Sequence, residues 1–195
     1  MNEKYLSLPI KLASADAVLM RPENTLPQHI SMQSPALDAM TDLAHVAPVS
    51  VVPDLPINQA EEQMRLGNVR LLFVVSERGE WLGLLTYNDL RGGRALKVQG
   101  ESGVSRGEVL VRDIMTPRAR LEVMHMRDVV EARVGDIIET LMRTGRQHAL
   151  VEEHGADGNA IRGIFSSTRI GKQLGVQLQD SGVAWTFAEL EAALH

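Results

Sequence analysis

The sequence predicts an α/β (α+β) fold: two copies of one strand–helix–strand–strand–helix unit, packed sheet to sheet with pseudo-twofold symmetry. Three observations predict it. A segment that begins at Val51 returns 78 residues later, and each copy is followed by two apolar strands around a glycine-bearing turn. Neither copy is large enough to form a generous core alone, so two copies back to back bury their sheets in one another.

The repeat is seen by placing VVPDLPINQAEEQMRLG (Val51 to Gly67) over VVEARVGDIIETLMRTG (Val129 to Gly145). They share the opening Val-Val, the Glu at 61 and 139, and Met-Arg-x-Gly at 64 to 67 and 142 to 145. The β-branched pair reads as an opening strand in both copies. A helical period follows, through Ile57, Ala60 and Met64 in the first copy and Val134, Ile137, Ile138, Leu141 and Met142 in the second. Leu71 to Val75 and Ala149 to Val151 then read as strands, ending in turns at Gly79 and at Gly155 to Gly158. The returning strands, in Trp81 to Leu90 and Ile161 to Ile170, align at an offset of 80, as expected of a hairpin two residues longer in the second copy.

These elements set the organisation. Residues 1–33 carry Pro9, Pro22 and Pro27 with no clear period, and read as an irregular arm. Ser34-Pro35 caps a short helix through Leu37, Met40 and Leu43. The first repeat is expected over 34–97, a linker over 98–109, the second repeat over 110–175 and a tail over 176–195. In that tail TFAELEAAL (Thr186 to Leu194) reads as a helix boxed by Thr186 and Glu189.

Composition narrows the function. The chain has 195 residues, a charged fraction of 23% and no cysteine, which rules out disulfides, thiolate metal sites and cysteine nucleophiles. No apolar run approaches the roughly 20 residues of a membrane span, and the N-terminus lacks a signal-peptide core. The expectation is a cytoplasmic protein with no membrane partner. A net charge of −5 argues against a general grip on nucleic acid. No glycine-framed serine, phosphate loop or metalloprotease motif is present, so no enzyme is expected. The stretch Arg169-Ile170-Gly171-Lys172 fails as a phosphate loop, because Ser166 stands where the first glycine belongs and Gln173 follows the lysine.

The order of elements resembles the CBS domain, and the whole resembles a stand-alone bacterial-type pair of them, a Bateman module. The likeness rests on DIMTP (Asp113 to Pro117), VVPD (Val51 to Asp54) and GLLTYND (Gly83 to Asp89), in that duplicated setting. It implies a regulatory module that senses AMP, ADP or ATP, with S-adenosylmethionine or NAD as alternatives, in a cleft between repeats. A homodimer and an unknown regulated protein are the implied partners; no covalent cofactor is implied. Carried onto this chain, Thr86 would bond the ligand's phosphate or ribose and Asp89 would accept both ribose hydroxyls, as a carboxylate with two acceptor oxygens can. Ser50 would meet the adenine, with Val51, Leu72 and Phe73 as its apolar walls. His148 would lie beside the cleft.

The second repeat departs from the family pattern. Ser166 keeps the hydroxyl, but Arg169 stands where the ribose-binding acid belongs, and arginine cannot accept from a diol. Asp128 is expected in the Ser50 position. One competent site per chain is expected, and the second cleft either binds no nucleoside or uses Arg169 to hold a phosphate of a ligand centred on the first. Phe73 also departs, standing where many members have proline.

Each motif has a plainer reading. Thr86-x-x-Asp89 is also a helix capping box that needs no ligand. Arg91, Arg94, Lys97 and Arg106 read either as a solvated linker or as a phosphate rim, as do Arg118 and Arg120. His148, Glu152, Glu153 and His154 lack metal-ligand spacing, and no metal is expected. A chain that has lost its ligand and only dimerises remains the alternative function.

Overall fold

The computed structural model describes residues 26–155 and 158–175, with Leu12. The helix expected over Thr186 to Leu194 and most of the N-terminal arm lie outside the described residues. A 3-10 turn at Ala36–Ala39 leads into β1 (Thr41–Asp42). The first repeat then runs β2 (Ser50–Val51), α1 (Ile57–Leu66), β3 (Leu71–Val75), β4 (Trp81–Thr86), α2 (Tyr87–Arg91) and α3 (Gly93–Ser102). The connection holds a 3-10 turn at Arg106–Glu108, α4 (Val111–Ile114), β5 (Thr116–Pro117) and a second 3-10 turn at Arg118–Arg120. The second repeat follows as β6 (Val123–His125), α5 (Met126–Glu131), α6 (Val134–Thr144), β7 (His148–Gly155), β8 (Gly158–Ser166) and α7 (Ser167–Gln173).

The strands form two four-stranded sheets, β2-β3-β4-β5 and β1-β8-β7-β6. Each takes one edge from the other half of the chain. Thr41 and Asp42 of β1 pair with Ile164 and Gly163, while Thr116 and Pro117 of β5 pair with Leu84 and Gly83. The crossing strands run close. A Cβ on Gly83 would collide with the Thr116 carbonyl oxygen, and one on Gly163 with the Met40 side chain, so both positions need glycine for space.

Strand alternation sorts the core into three layers. Leu72 and Val74 point to the helical side and pack with Ile57, Ala60, Met64 and Leu85. Val134, Ile137, Ile138 and Leu141 of α6 do the same for the second sheet, with Val151 and Phe165. Leu71, Phe73 and Leu84 face the other way, onto Leu150 of the opposite sheet. The predicted sheet-to-sheet α/β architecture is therefore the observed one.

The alignment of the copies needs two corrections. The buried helix positions Ile57, Ala60 and Met64 match Val134, Ile137 and Leu141, an offset of 77, so the identities seen at 78 are one residue out of phase with the buried face. The second opening strand is Val123–His125, whereas Val129 and Val130 lie in α5. A β-branched pair is compatible with either state, and the inserted helix hid the true strand.

Candidate ligand cleft between the repeats

Thr86 ends β4 and caps α2, and the plainer reading of Thr86-x-x-Asp89 is present in full. The Asp89 amide donates to Thr86 Oγ1 (3.3 Å), while Asp89 Oδ2 accepts from the Thr86 amide (2.9 Å) and hydroxyl (2.6 Å). Asp89 Oδ1 lies 3.3 Å from Arg94 Nη1. The same nitrogen donates to the Ile114 carbonyl (3.2 Å) and to Thr116 Oγ1 (3.1 Å). Asp89 thus has one oxygen committed to the cap and the other on an arginine. Helix α2 ends after five residues, so it supplies little of the dipole expected to favour a phosphate at Thr86.

A cleft of about 450 Å3 lies between the halves, lined by Leu43, Ser50, Phe73, Val75, Trp81 and Arg118, with Glu152 and Ile161 from the second sheet. Phe73 and Trp81 meet at a centroid distance of 6.1 Å and a tilt of 52°, and the Trp81 Nε1 hydrogen is spent on the Gly83 carbonyl (2.8 Å). The Arg118 guanidinium stands 5.3 Å over the Trp81 ring. These are an aromatic wall, a cation and a carboxylate around one space.

The structure brings Ser50 and Phe73 into this cleft and leaves the other expected residues elsewhere. Val51 and Leu72 are buried on the helical side, because neighbouring residues of a strand face opposite ways. They cannot wall the same cleft as Phe73. Thr86 pairs with Leu71, four residues along β3 from Val75, so the cap sits about 13 Å from the cleft's Val75 end. Trp81 and Glu152 were missed as lining residues, and only the folding of one hairpin over the other reveals them.

In the second repeat, Ser166 precedes α7 without a side-chain cap, and Arg169 Nη1 donates to Thr41 Oγ1 (3.1 Å). Asp128 is in α5 beside Arg127 (3.3 Å), and Val123 takes the place in the sheet that Ser50 takes in the first. His148 is half-buried, and burial together with the nearby Arg70 guanidinium pushes its imidazole down to about 4.

The basic residues divide among several jobs. Arg91 and Arg106 both reach Glu61 (3.2 and 3.1 Å), and Lys97 stands 3.7 Å from Glu101. Arg70 and Arg91 flank the Tyr87 ring at 4.8 and 5.2 Å. The stretch read as a possible linker contains α3, with Ala95 buried. Glu153 binds Arg162 (2.7 Å), while His154 and Glu152 share Asn159 (2.6 and 3.0 Å). Among the described residues no three His, Asp or Glu side chains gather as metal ligands, and no helix is long and apolar enough to cross a membrane.

A family model described as "CBS domain" matches residues 37–94. That span is similar to the CBS domain. Among solved structures, an uncharacterized conserved protein from Pyrococcus horikoshii is 22% identical with a TM-score of 0.55, covering 78% of this chain and 100% of its own. A CBS-domain containing protein from Agrobacterium tumefaciens is 22% identical with a TM-score of 0.53, covering 73% and 94%. At such identities the likeness is one of fold, and the fold is that of a CBS pair. A search of curated proteins found no match. The matched CBS span begins at Leu37 and so includes the crossing strand β1, which pairs with the other repeat's sheet.

Proposed function

We propose that this CBS pair is a regulatory module that binds one adenosine-containing nucleotide per chain (AMP, ADP or ATP) and performs no catalysis. The observation that carries the reading is the cleft between the repeats, where Phe73 and Trp81 offer an aromatic wall to a base and Arg118 a cation to a phosphate. Phe73 of the cleft pairs with Leu84, and by strand alternation Thr86, two residues on, shares that side of β4, which supports a nucleotide whose base lies on Phe73 and whose ribose reaches toward Asp89. The ribose diol takes Asp89 Oδ1, the oxygen outside the cap. In the second repeat Arg169 fills the equivalent place, which supports a single site.

Ligand binding acts by differential affinity for two arrangements of repeats or chains, read by a partner protein in the cytoplasm. Self-association into a homodimer belongs to the same reading. Isothermal titration against AMP, ADP, ATP, S-adenosylmethionine and NAD tests the reading. Binding of an adenine nucleotide that Asp89→Ala abolishes is the expected result, and silence from all five at millimolar concentration overturns it. The second reading, a CBS pair that only dimerises, draws on the cap that already occupies Asp89. A stable dimer that none of the five ligands binds or stabilises would favour it.

A further inference from the structure

Both crossing strands are held by an arginine on a threonine, but the arginines come from different places. Arg169 Nη1 donates to Thr41 Oγ1 of β1, and Arg94 Nη1 to Thr116 Oγ1 of β5, each at 3.1 Å. Arg169 stands three residues after Ser166, as Asp89 stands three after Thr86. The second repeat therefore ties its crossing strand from the very position that is acidic in the first. In the first repeat the arginine arrives from α3, and its Nη1 also lies 3.3 Å from Asp89 Oδ1. Oδ2 already accepts twice from Thr86, so the two hydroxyls of a diol would fill both lone pairs of Oδ1, one of which faces Arg94.

We propose that Arg94 is a latch: Asp89 holds it on crossing strand β5, and a diol that takes Asp89 Oδ1 releases it. The proposal rests on the reading of Asp89 as the diol acceptor. Without the carboxylate beside it, the guanidinium loses the charge that fixes its position, and its neutral contacts to Ile114 and Thr116 weaken. Because β5 leads directly into the second repeat, occupation of the first repeat is felt where the two halves join. In the second repeat an arginine stands at the position of that acid, so a diol has no carboxylate to take there. The chain signals from one repeat only.

Hydrogen exchange of the full chain tests this with adenosine, which carries the diol and no phosphate, and with 2′-deoxyadenosine, which lacks the diol. Without ligand, Asp89→Asn and Arg94→Ala each speed exchange across 114–117 by roughly threefold or more and leave 39–42 unchanged, while Arg169→Ala does the reverse. Saturating adenosine speeds exchange across 114–117 in the wild type, and 2′-deoxyadenosine does not. Adenosine binds Arg94→Ala about two- to fivefold more tightly than wild type, because a half-exposed competitor has gone. Unchanged exchange in both unliganded variants overturns the latch, as does adenosine that binds the wild type without loosening 114–117. If the variants loosen but neither wild type nor Arg94→Ala binds adenosine, the nucleotide reading fails, and release by a diol fails with it. The coupling of Asp89 to β5 then stands alone.

Discussion

Arg162 grips Asp42 with two parallel hydrogen bonds, Nε to Oδ1 at 2.7 Å and Nη2 to Oδ2 at 2.8 Å, across 120 residues of chain. Its third nitrogen reaches Glu153 (2.7 Å), and its carbonyl accepts from the Leu43 amide (2.8 Å). The guanidinium holds the Asp42 carboxyl well below the usual carboxylate range. This fork fixes β1, a strand of two residues, to the sheet of the other repeat.

Asp42→Ala leaves Arg162 with one carboxylate. The pair is about one-quarter exposed on each side, which places the cost between a surface pair and a buried one, about 1–2 kcal/mol. Urea unfolding of Asp42→Ala, Arg162→Ala and the double variant measures the coupling. A coupling near zero would show that β1 is held by its backbone bonds alone.

Gly83→Ala and Gly163→Ala differ in their cost. At Gly83 the obstacle is the Thr116 backbone, which cannot yield without moving β5, and a loss of about 2–3 kcal/mol is expected. At Gly163 the obstacle is the Met40 side chain, which has other rotamers, so the loss is smaller, about 1 kcal/mol. Thermal unfolding of both variants checks the order.

His148 makes stability depend on pH. Its imidazole is lowered to about 4 in the fold, against an ordinary value of 6.5. Above about pH 6.5 the residue is neutral in both states and its contribution is complete. Between there and pH 4 the unfolded chain takes up a proton that the folded chain refuses, so stability falls, by roughly 3 kcal/mol at most. Urea midpoints at several pH values measure the slope, and His148→Gln flattens it in that window.

Leu72 and Phe73 are neighbours with opposite duties. Leu72→Ala opens a cavity among α1, β3 and β4 and costs about 2–5 kcal/mol, while nucleotide affinity of the folded fraction is unchanged. Phe73→Leu preserves much of the packing but removes an aromatic face from the cleft, and weakens a stacked base about tenfold. Calorimetry on both variants separates the two roles. An equal loss of affinity in both would contradict the facing assigned to them.

Much of this was legible beforehand. The helical stripes at Ile57, Ala60 and Met64 and at Val134 to Leu141 are buried as their period requires. The Thr86–Asp89 box forms because its bonds are local. The crossing strands were less visible. Asp38-Ala39-Met40-Thr41 and Asp113-Ile114-Met115-Thr116 carry the same D-x-M-T pattern, a signal present in the sequence but too short to announce a strand. Val129-Val130 misled, because two β-branched residues fit a strand as well as the helix they occupy.

By itself the sequence determined what depends on near neighbours: the period of each helix, the hairpins, the cap at Thr86, and the duplication that dictates two sheets back to back. The tertiary structure decided which distant groups share a charge or a space. Only folding places Asp42 on Arg162, Arg94 between Asp89 and Thr116, and Trp81 across a cleft from Glu152. Those contacts join residues that no local period connects. Coulomb attraction and close packing act through space, and the chain must be closed on itself before they have anything to act on.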